Sequence, residues 1–331
     1  MTTNVSIIAE IGSVHDGSFG NATKLIEAAA RAGADVVKFQ THIADAETLP
    51  NAPMPSYFKG EPRKDYFRRT GFSLPQWREL KAVCEGNGVS FLSSPFSQEA
   101  VDLLEELEVD SYKVPSGEVS NVPLLEYLAQ TGRPVLISSG MSDWSELDAA
   151  VAALDGGGPV TIMQCSSAYP CPPEQVGLNV LAEMRSRYCL PVGYSDHTTG
   201  PAAPLAAVAL GATVIEKHFT FSRLMYGSDA ANSMEPDDFA AMCRHIREIE
   251  RMLAAPVDKG DAAPYSEMKR IFEKSIVTAR PLAAGATLTR LDLAFKKPGD
   301  GIPAAQYTNV VGKRLSRDLP CDHKLTMDDL A

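Results

Sequence analysis

A short β-rich run, then polar or small residues, then a helix-like stretch: this unit recurs eight times in the first two thirds of the chain. The runs cover residues 6–11, 35–40, 89–92, 111–114, 134–137, 160–164, 191–194 and 213–216. Several are almost continuously apolar, as strands covered on both faces must be. The stretches between them carry helical periodicity, for example Ala22 to Ala30 and Ala100 to Leu107. Gly33, Gly88, Gly132 and Gly211 stand where those helices would end, in the place of a C-cap glycine. Eight such units over about 250 residues predict a (β/α)8 barrel, a TIM barrel, within the α/β class. An open doubly wound sheet is the alternative. It ranks lower because polar clusters follow every run instead of gathering at one switch point.

Beyond the barrel, which we place at residues 1–254, the texture changes. Residues 255–273 read as a linker, with prolines, a glycine and charges. Residues 274–331 hold short β-rich runs, 274–279 and 293–297, punctuated by turn signals such as Pro298-Gly299-Asp300-Gly301. That predicts a small β-rich module whose own core is thin.

Composition removes several classes. A net charge of -11 leaves no basic face for nucleic acid and disfavours an anionic membrane surface. None of the six cysteines forms a C-x-x-C pair, so neither a zinc knuckle nor a disulfide framework is expected. Met1 to Asn4 lack the basic start of a signal peptide, and no apolar stretch is long enough to span a bilayer. A cytoplasmic location is expected.

In a barrel, chemistry gathers at the C-terminal ends of the strands. The seventh and eighth runs lead into Ser195-Asp196-His197-Thr198 and Glu216-Lys217-His218. Histidines at consecutive strand ends can face one pocket, and neutral imidazole is the commonest ligand of divalent transition metals. His197 and His218 are therefore a candidate metal pair, weighed against two satisfied core histidines. Two ligands leave open positions for water, substrate or a carboxylate. His15 is a third candidate. His42, His245 and His323 read as ordinary surface or packing residues. Lys38 and Lys113 sit on strands, where hydroxyls and glycine turns nearby make a phosphate or carboxylate cradle plausible. For each, a buried lysine paired with a carboxylate is the competing reading. Glu10 and Glu118 are placed for proton transfer or for structural ion pairs.

Taken in order, these segments resemble the sialic acid synthase (N-acetylneuraminate/nonulosonate synthase) family with its C-terminal antifreeze-like (SAF) domain. The motifs are Ile8-Ala9-Glu10-Ile11-Gly12, Val37-Lys38-Phe39-Gln40-Thr41, Ser94-Pro95-Phe96, Lys113-Val114-Pro115-Ser116-Gly117-Glu118, Ser139-Gly140-Met141, Tyr169-Pro170 and the two histidine segments, followed by Lys297-Pro298-Gly299 and Val311-Gly312-Lys313. The resemblance implies a transferase that joins phosphoenolpyruvate to the open-chain aldehyde of an N-acyl hexosamine. It implies that His197 and His218 hold manganese or another divalent ion such as magnesium or cobalt. Phosphoenolpyruvate would lie against Lys38, Lys113, Ser116, Ser138 and Ser195. The sugar would meet Gln40, Ser167, Tyr169, Asp229 and Lys297, with Glu10 and Glu118 catalytic. A homodimer, with domain swapping as its family arrangement, is also implied.

Three positions depart from the family pattern: Val14, Ser167 and Lys297, where asparagine, asparagine and arginine are usual. All lie on the sugar side, so the acceptor is expected to vary, with diacetamido-trideoxyhexoses as candidates. The alternative is a related phosphoenolpyruvate aldol synthase acting on a phosphorylated or non-acylated sugar. A phosphorylated acceptor needs a further basic cluster, and Arg63-Lys64 with Arg68-Arg69, in the long loop after the second run, are the candidates. An ice- or sugar-binding protein without catalysis is the remaining alternative, disfavoured by the strand-end residues.

Overall fold

The computed structural model describes residues 4–53 and 61–331. Met1 to Thr3, part of the segment read for a leader, lie outside the described residues. The chain divides into two compact units, Met1–Ala255 and Pro256–Ala331.

In the first unit eight strands close into a parallel barrel in sequence order. They are β1 (Ser6–Gly12), β2 (Val36–Thr41), β3 (Ser90–Pro95), β4 (Tyr112–Val114), β5 (Val135–Ser138), β6 (Val160–Cys165), β7 (Val192–Asp196) and β8 (Val214–His218). β1 closes on β8 with Ile8 opposite Glu216 and Glu10 opposite His218. This excludes the open sheet.

Strand side chains alternate between faces. One set, including Ile7, Ala9, Val37, Phe39, Tyr112, Ile137, Ile162, Tyr194 and Ile215, joins the large core shared with the helices. The other set faces the barrel axis and changes character along it. Ile8, Leu92, Met163 and Val214, with Val36 and Leu136, form a separate apolar layer. Two residues on along those strands stand Glu10, Lys38, Ser138, Cys165 and Glu216. The apolar layer is a dry floor, and the polar layer above it is where the site is built.

Helix starts follow local chemistry. The Ser18 and Ser97 side chains accept from Asn21 and Ala100 amides, and Asp143 forms a capping box with Glu146. Gly33, Gly88, Gly132 and Gly211 all adopt positive φ after a helix. The stretch after β2 that reads as a loop contains a helix, Arg63–Thr70.

The second unit has its own core, including Ile276, Leu282, Leu288, Leu293, Val310, Leu315 and Leu325. Its sheet pairs β9 (Ser275–Thr278) with β10 (Leu293–Lys296) antiparallel. The stretch read as a linker contains a helix, Ser266–Phe272, and most of it belongs to this unit. One local structure occurs twice. Arg280 donates to Asp292 while Asp292 caps Thr289, and Arg317 donates to Asp329 while Asp329 caps Thr326. The four distances from arginine Nε and Nη2 are 2.9 and 2.7 Å in each copy. Arg-x-Leu, then Leu-Thr-x-x-Asp-Leu-Ala, appears twice within this unit, at 280–294 and at 317–331, a repeat the motif reading passed over.

Candidate active site

The polar layer is organised by a residue that sequence reasoning did not single out. Glu216 on β8 receives Lys38 Nζ at 2.8 Å and Lys113 Nζ at 3.7 Å, and Ser195 Oγ donates to it at 2.9 Å. Lys38 also reaches Glu10 at 3.4 Å, and Lys113 donates to Ser138 Oγ at 2.5 Å. Both lysines therefore realise the competing reading, a buried ammonium balanced by carboxylate, while also lining the cavity. Two ammonium groups and two carboxylates are almost wholly buried beside one another, so each sets the others' charge. Burial raises Glu10 to about 7, opposed by Lys38 and reinforced by Glu216. Burial works against ionisation of Glu216 too, but Lys113 and Lys38 outweigh it and hold the carboxyl well below the usual range. Burial brings Lys113 down to about 8.

His197 and His218 enter the same cavity with ring centroids 5.5 Å apart. The turn that presents His197 is locked by Asp196, which accepts from Thr198 N and Oγ1 and from the Tyr194 hydroxyl and pairs with buried Lys217. His197 Nδ1 lies 2.7 Å from the Ser166 carbonyl, which can only accept, so Nδ1 carries hydrogen and, in the neutral ring, Nε2 keeps its lone pair. Burial lowers His218 to about 4, keeping it neutral, and its Nδ1 is buried without a hydrogen-bond partner among the described residues. Burial also works against charging His197, but Cys165, 3.8 Å from Nδ1, and the Ser166 carbonyl raise it. Tyr169 covers the pair, its ring 4.1 Å from that of His197. Among the described residues no group of three or more His, Cys, Asp or Glu is arranged to hold a metal. The donor set thus fits a divalent ion with two imidazole ligands and open positions, and no more enclosed metal site.

One cavity of about 320 Å³ is lined by Glu10, Lys38, Gln40, Lys113, Ser116, Ser138, Ser167, Tyr169, Ser195, His197 and His218. Of the other residues named from sequence, Asp229 does not line it and packs beside the turn after β1. Its Oδ2 is 3.4 Å from the Ser13 amide, and it fills the space beside Gly12 that a side chain would need. Glu118 is not brought to the histidines. It accepts from Asn121 and lines a neighbouring cavity of about 340 Å³ with Glu47 and Glu99. Burial raises Glu118 also. Lys297 belongs to the second unit, where its ammonium lies 5.0 Å over the Phe272 ring. His15, the third metal candidate, is buried instead in an aromatic cluster, 4.7 Å from Phe72, with Nδ1 accepting from the Gly17 amide. His42 is not surface: it bonds Gln40 and Glu47.

Comparison with known proteins places this arrangement. The NeuB family model matches residues 25–258, and the SAF domain model matches residues 273–331. The chain belongs to the NeuB family. Among curated relatives, this NeuB chain is 36% identical to the N,N'-diacetyllegionaminic acid synthase of Campylobacter jejuni over 93% of this chain and 94% of that protein. It is 36% identical to the human N-acetylneuraminate-9-phosphate synthase over 93% of this chain and 88% of that one. Among solved structures, the N-acetylneuraminic acid synthetase of Leptospira borgpetersenii superposes with a TM-score of 0.72 at 30% identity, over 81% of this chain and 91% of the other. The NeuB-family chain is thus a synthase by membership. Among its described residues, no helix is long and apolar enough to cross a membrane.

Proposed function

We propose that this NeuB-family synthase condenses phosphoenolpyruvate with the open-chain aldehyde of an unphosphorylated N-acyl hexosamine or diacetamido-trideoxyhexose. The product is a nine-carbon 2-keto-3-deoxy sugar acid. A carbon–carbon bond forms between the phosphoenolpyruvate methylene and the aldehyde carbon. Water adds at the enol carbon, the C–O bond to phosphorus breaks, and phosphate leaves. The observation that carries the reading is the convergence of two buried lysines, three serines and two imidazoles on one cavity.

Lys38 and Lys113 supply fixed positive charge for a phosphate and a carboxylate, and Ser116, Ser138 and Ser195 supply donors around them. Glu10, with a proton affinity poised near neutrality, is placed to exchange a proton with the added water or the new hydroxyl. His197 and His218 would hold a divalent ion, with manganese or cobalt suiting two nitrogens better than magnesium. When bound, that ion supplies Lewis-acid polarisation of the aldehyde oxygen. A homodimer is part of the same proposal, and sedimentation equilibrium tests it.

Two relatives' names set the choice of acceptor, one for N,N'-diacetyllegionaminic acid and one for a 9-phosphorylated product. Charge favours the unphosphorylated class here. Among the described residues, Lys38 and Lys113 are the lysine and arginine side chains that line the catalytic cavity. The adjoining cavity of about 590 Å³, which shares Met141, Cys165 and Ser167 with it, is lined by Asp143 and Glu183 and, among the described residues, by no lysine or arginine. Of the four cations read as a candidate phosphate cluster, Lys64, Arg68 and Arg69 pair with Asp45, Asp65, Glu61 and Asp16, while Arg63 lies 5.3 Å over the Phe67 ring and acts on Glu118 of the neighbouring cavity.

The test is phosphate release from phosphoenolpyruvate with manganese, offered N-acetylmannosamine, mannose, two diacetamido-trideoxyhexoses, N-acetylmannosamine 6-phosphate and arabinose 5-phosphate. Release with an unphosphorylated N-acyl sugar is expected. Release only with the phosphorylated sugars would move the protein to the alternative class.

A further inference from the structure

His42 follows β2 directly, and its imidazole is held more firmly than a loop residue requires. The ring is sandwiched between Phe67 and Phe96, with centroids 3.7 and 4.0 Å away and interplanar angles of 15° and 21°. Only 6% of the side chain is exposed. Nδ1 lies 2.7 Å from Glu47 Oε1, and Nε2 lies 3.1 Å from Gln40 Oε1. Gln40 in turn donates from Nε2 to Glu10 Oε1 at 2.8 Å. An unbroken line of contacts thus runs from Glu47 through His42 and Gln40 to the carboxylate in the catalytic cavity.

An amide has one accepting and one donating end, nearly equal in shape. Gln40 can offer its NH2 to Glu10 only while its carbonyl oxygen faces His42. That orientation is satisfied only when His42 Nε2 carries hydrogen. A ring free to rotate, or one without that hydrogen, would let the amide turn over and present its carbonyl oxygen to Glu10, an arrangement satisfied only while Glu10 is protonated. The aromatic sandwich removes the rotation. Glu47 accepts from Nδ1, so a hydrogen on Nε2 as well makes the ring an imidazolium balanced by that carboxylate.

We propose that His42, clamped by Glu47 and the two phenylalanines, is a positioning residue that fixes the orientation of the Gln40 amide against Glu10. In the reaction proposed above, on which the catalytic part of this inference rests, it would keep the acceptor side of the cavity in one hydrogen-bonding state. Of the residues against which phosphoenolpyruvate would lie, Lys38, 3.4 Å from Glu10, touches this line of contacts, whereas Lys113, Ser138 and Ser195 are organised around Glu216 and one another.

Three substitutions separate positioning from simple packing. His42→Gln places an amide nitrogen near the lost Nε2. His42→Asn keeps only a group near Nδ1, facing Glu47. His42→Phe keeps the stacked ring and neither donor. Positioning predicts that the Asn and Phe variants lose turnover by about 10–100-fold. It also predicts that their phosphoenolpyruvate affinity, measured by calorimetry, stays within about twofold of wild type, with the Gln variant keeping most of the turnover. Full turnover in the Phe variant would overturn the proposal. So would equal losses in all three variants with matching losses of melting temperature. Gln40→Leu combined with His42→Phe should cost no more than either alone, because one acts through the other; additive losses would count against it.

A readout independent of turnover is the imidazole ¹⁵N spectrum of the intact protein. The His42 Nε2 signal is expected in its hydrogen-bearing form and is expected to shift in Gln40→Leu. An unprotonated Nε2 would overturn the inference even if the acceptor chemistry proved correct. A protonated, Gln40-dependent Nε2 in a protein inactive on every acceptor offered would support the positioning and sink only the reaction.

Discussion

Glu216 and Lys38 form a 2.8 Å ion pair inside the barrel, and the same carboxylate faces Lys113 at 3.7 Å. One acidic side chain therefore balances both cations of the cavity. It also explains how two lysines can be buried above an apolar floor: neither is left without a counter-charge.

Glu216→Gln keeps the volume and removes that charge. With Lys113 unbalanced and Lys38 left with Glu10 alone, the folded state should lose about 3–5 kcal/mol, the usual cost of breaking a buried pair. Urea unfolding measures it. Wild-type stability in the variant would show that Glu216 is not what balances the lysines.

Lys113 should impose an alkaline limit on phosphoenolpyruvate use. Burial brings it to about 8, so above that pH the free protein increasingly presents a neutral amine. The kcat/KM for phosphoenolpyruvate should then fall about tenfold per pH unit, because this parameter reports groups on the free enzyme. A flat profile to about pH 10 would remove Lys113 from anion binding.

Glu10 should leave a signature in stability. Its folded-state value, raised from 4.5 to about 7, means that the native protein holds a proton that the unfolded chain releases. Its contribution is therefore fully present below about pH 4.5 and is lost as pH rises through about 7. Relative to Glu10→Gln, the wild type should lose up to about 3 kcal/mol across that window. Chemical unfolding of both proteins at several pH values checks the sign. A gap that widens in the wild type's favour would reverse the assignment.

Gly12→Ala should disturb the close approach of Asp229 to the turn after β1. Gly12 adopts φ +54°, and a Cβ there would stand 2.6 Å from Asp229 Oδ2. Left-handed backbone alone costs a side-chain-bearing residue about 1–2 kcal/mol. The melting temperature should fall, and adding Asp229→Ala should recover part of the loss by removing the clash. No recovery would mean that backbone strain is the whole effect.

Chelation followed by manganese should abolish and then restore turnover in the wild type. His218→Gln should stay inactive in both conditions, with unchanged far-ultraviolet circular dichroism. Full activity of the stripped protein would remove the metal from the proposal.

The barrel was readable because its two signals are local. β-rich runs recur at helix-length intervals, and helix ends are marked by glycines that the structure places at positive φ. The strand-end histidines, lysines and serines were readable for the same reason, since strand ends in a closed barrel converge whatever the loops do. The repeat in the second unit, around Arg280 and Arg317, was equally present in the sequence but carried no chemistry to draw attention to it.

Partnership was not readable. Glu216 lies next to a motif histidine, yet only closure of β8 against β1 and β7 brings its carboxylate between two lysines from β2 and β4. His42 looked like a loop residue because its bonds run to Glu47 on the following short helix and back to Gln40 on the strand before it. Its sandwich needs Phe67 and Phe96 from separate elements. Glu118 shows the reverse case, a strand-end carboxylate turned by Asn121 toward the neighbouring cavity. Sequence determined which residues stand at the strand ends, because periodicity is a property of neighbours along the chain. The tertiary structure decided which of them meet, because burial and charge are shared among residues that only folding brings together.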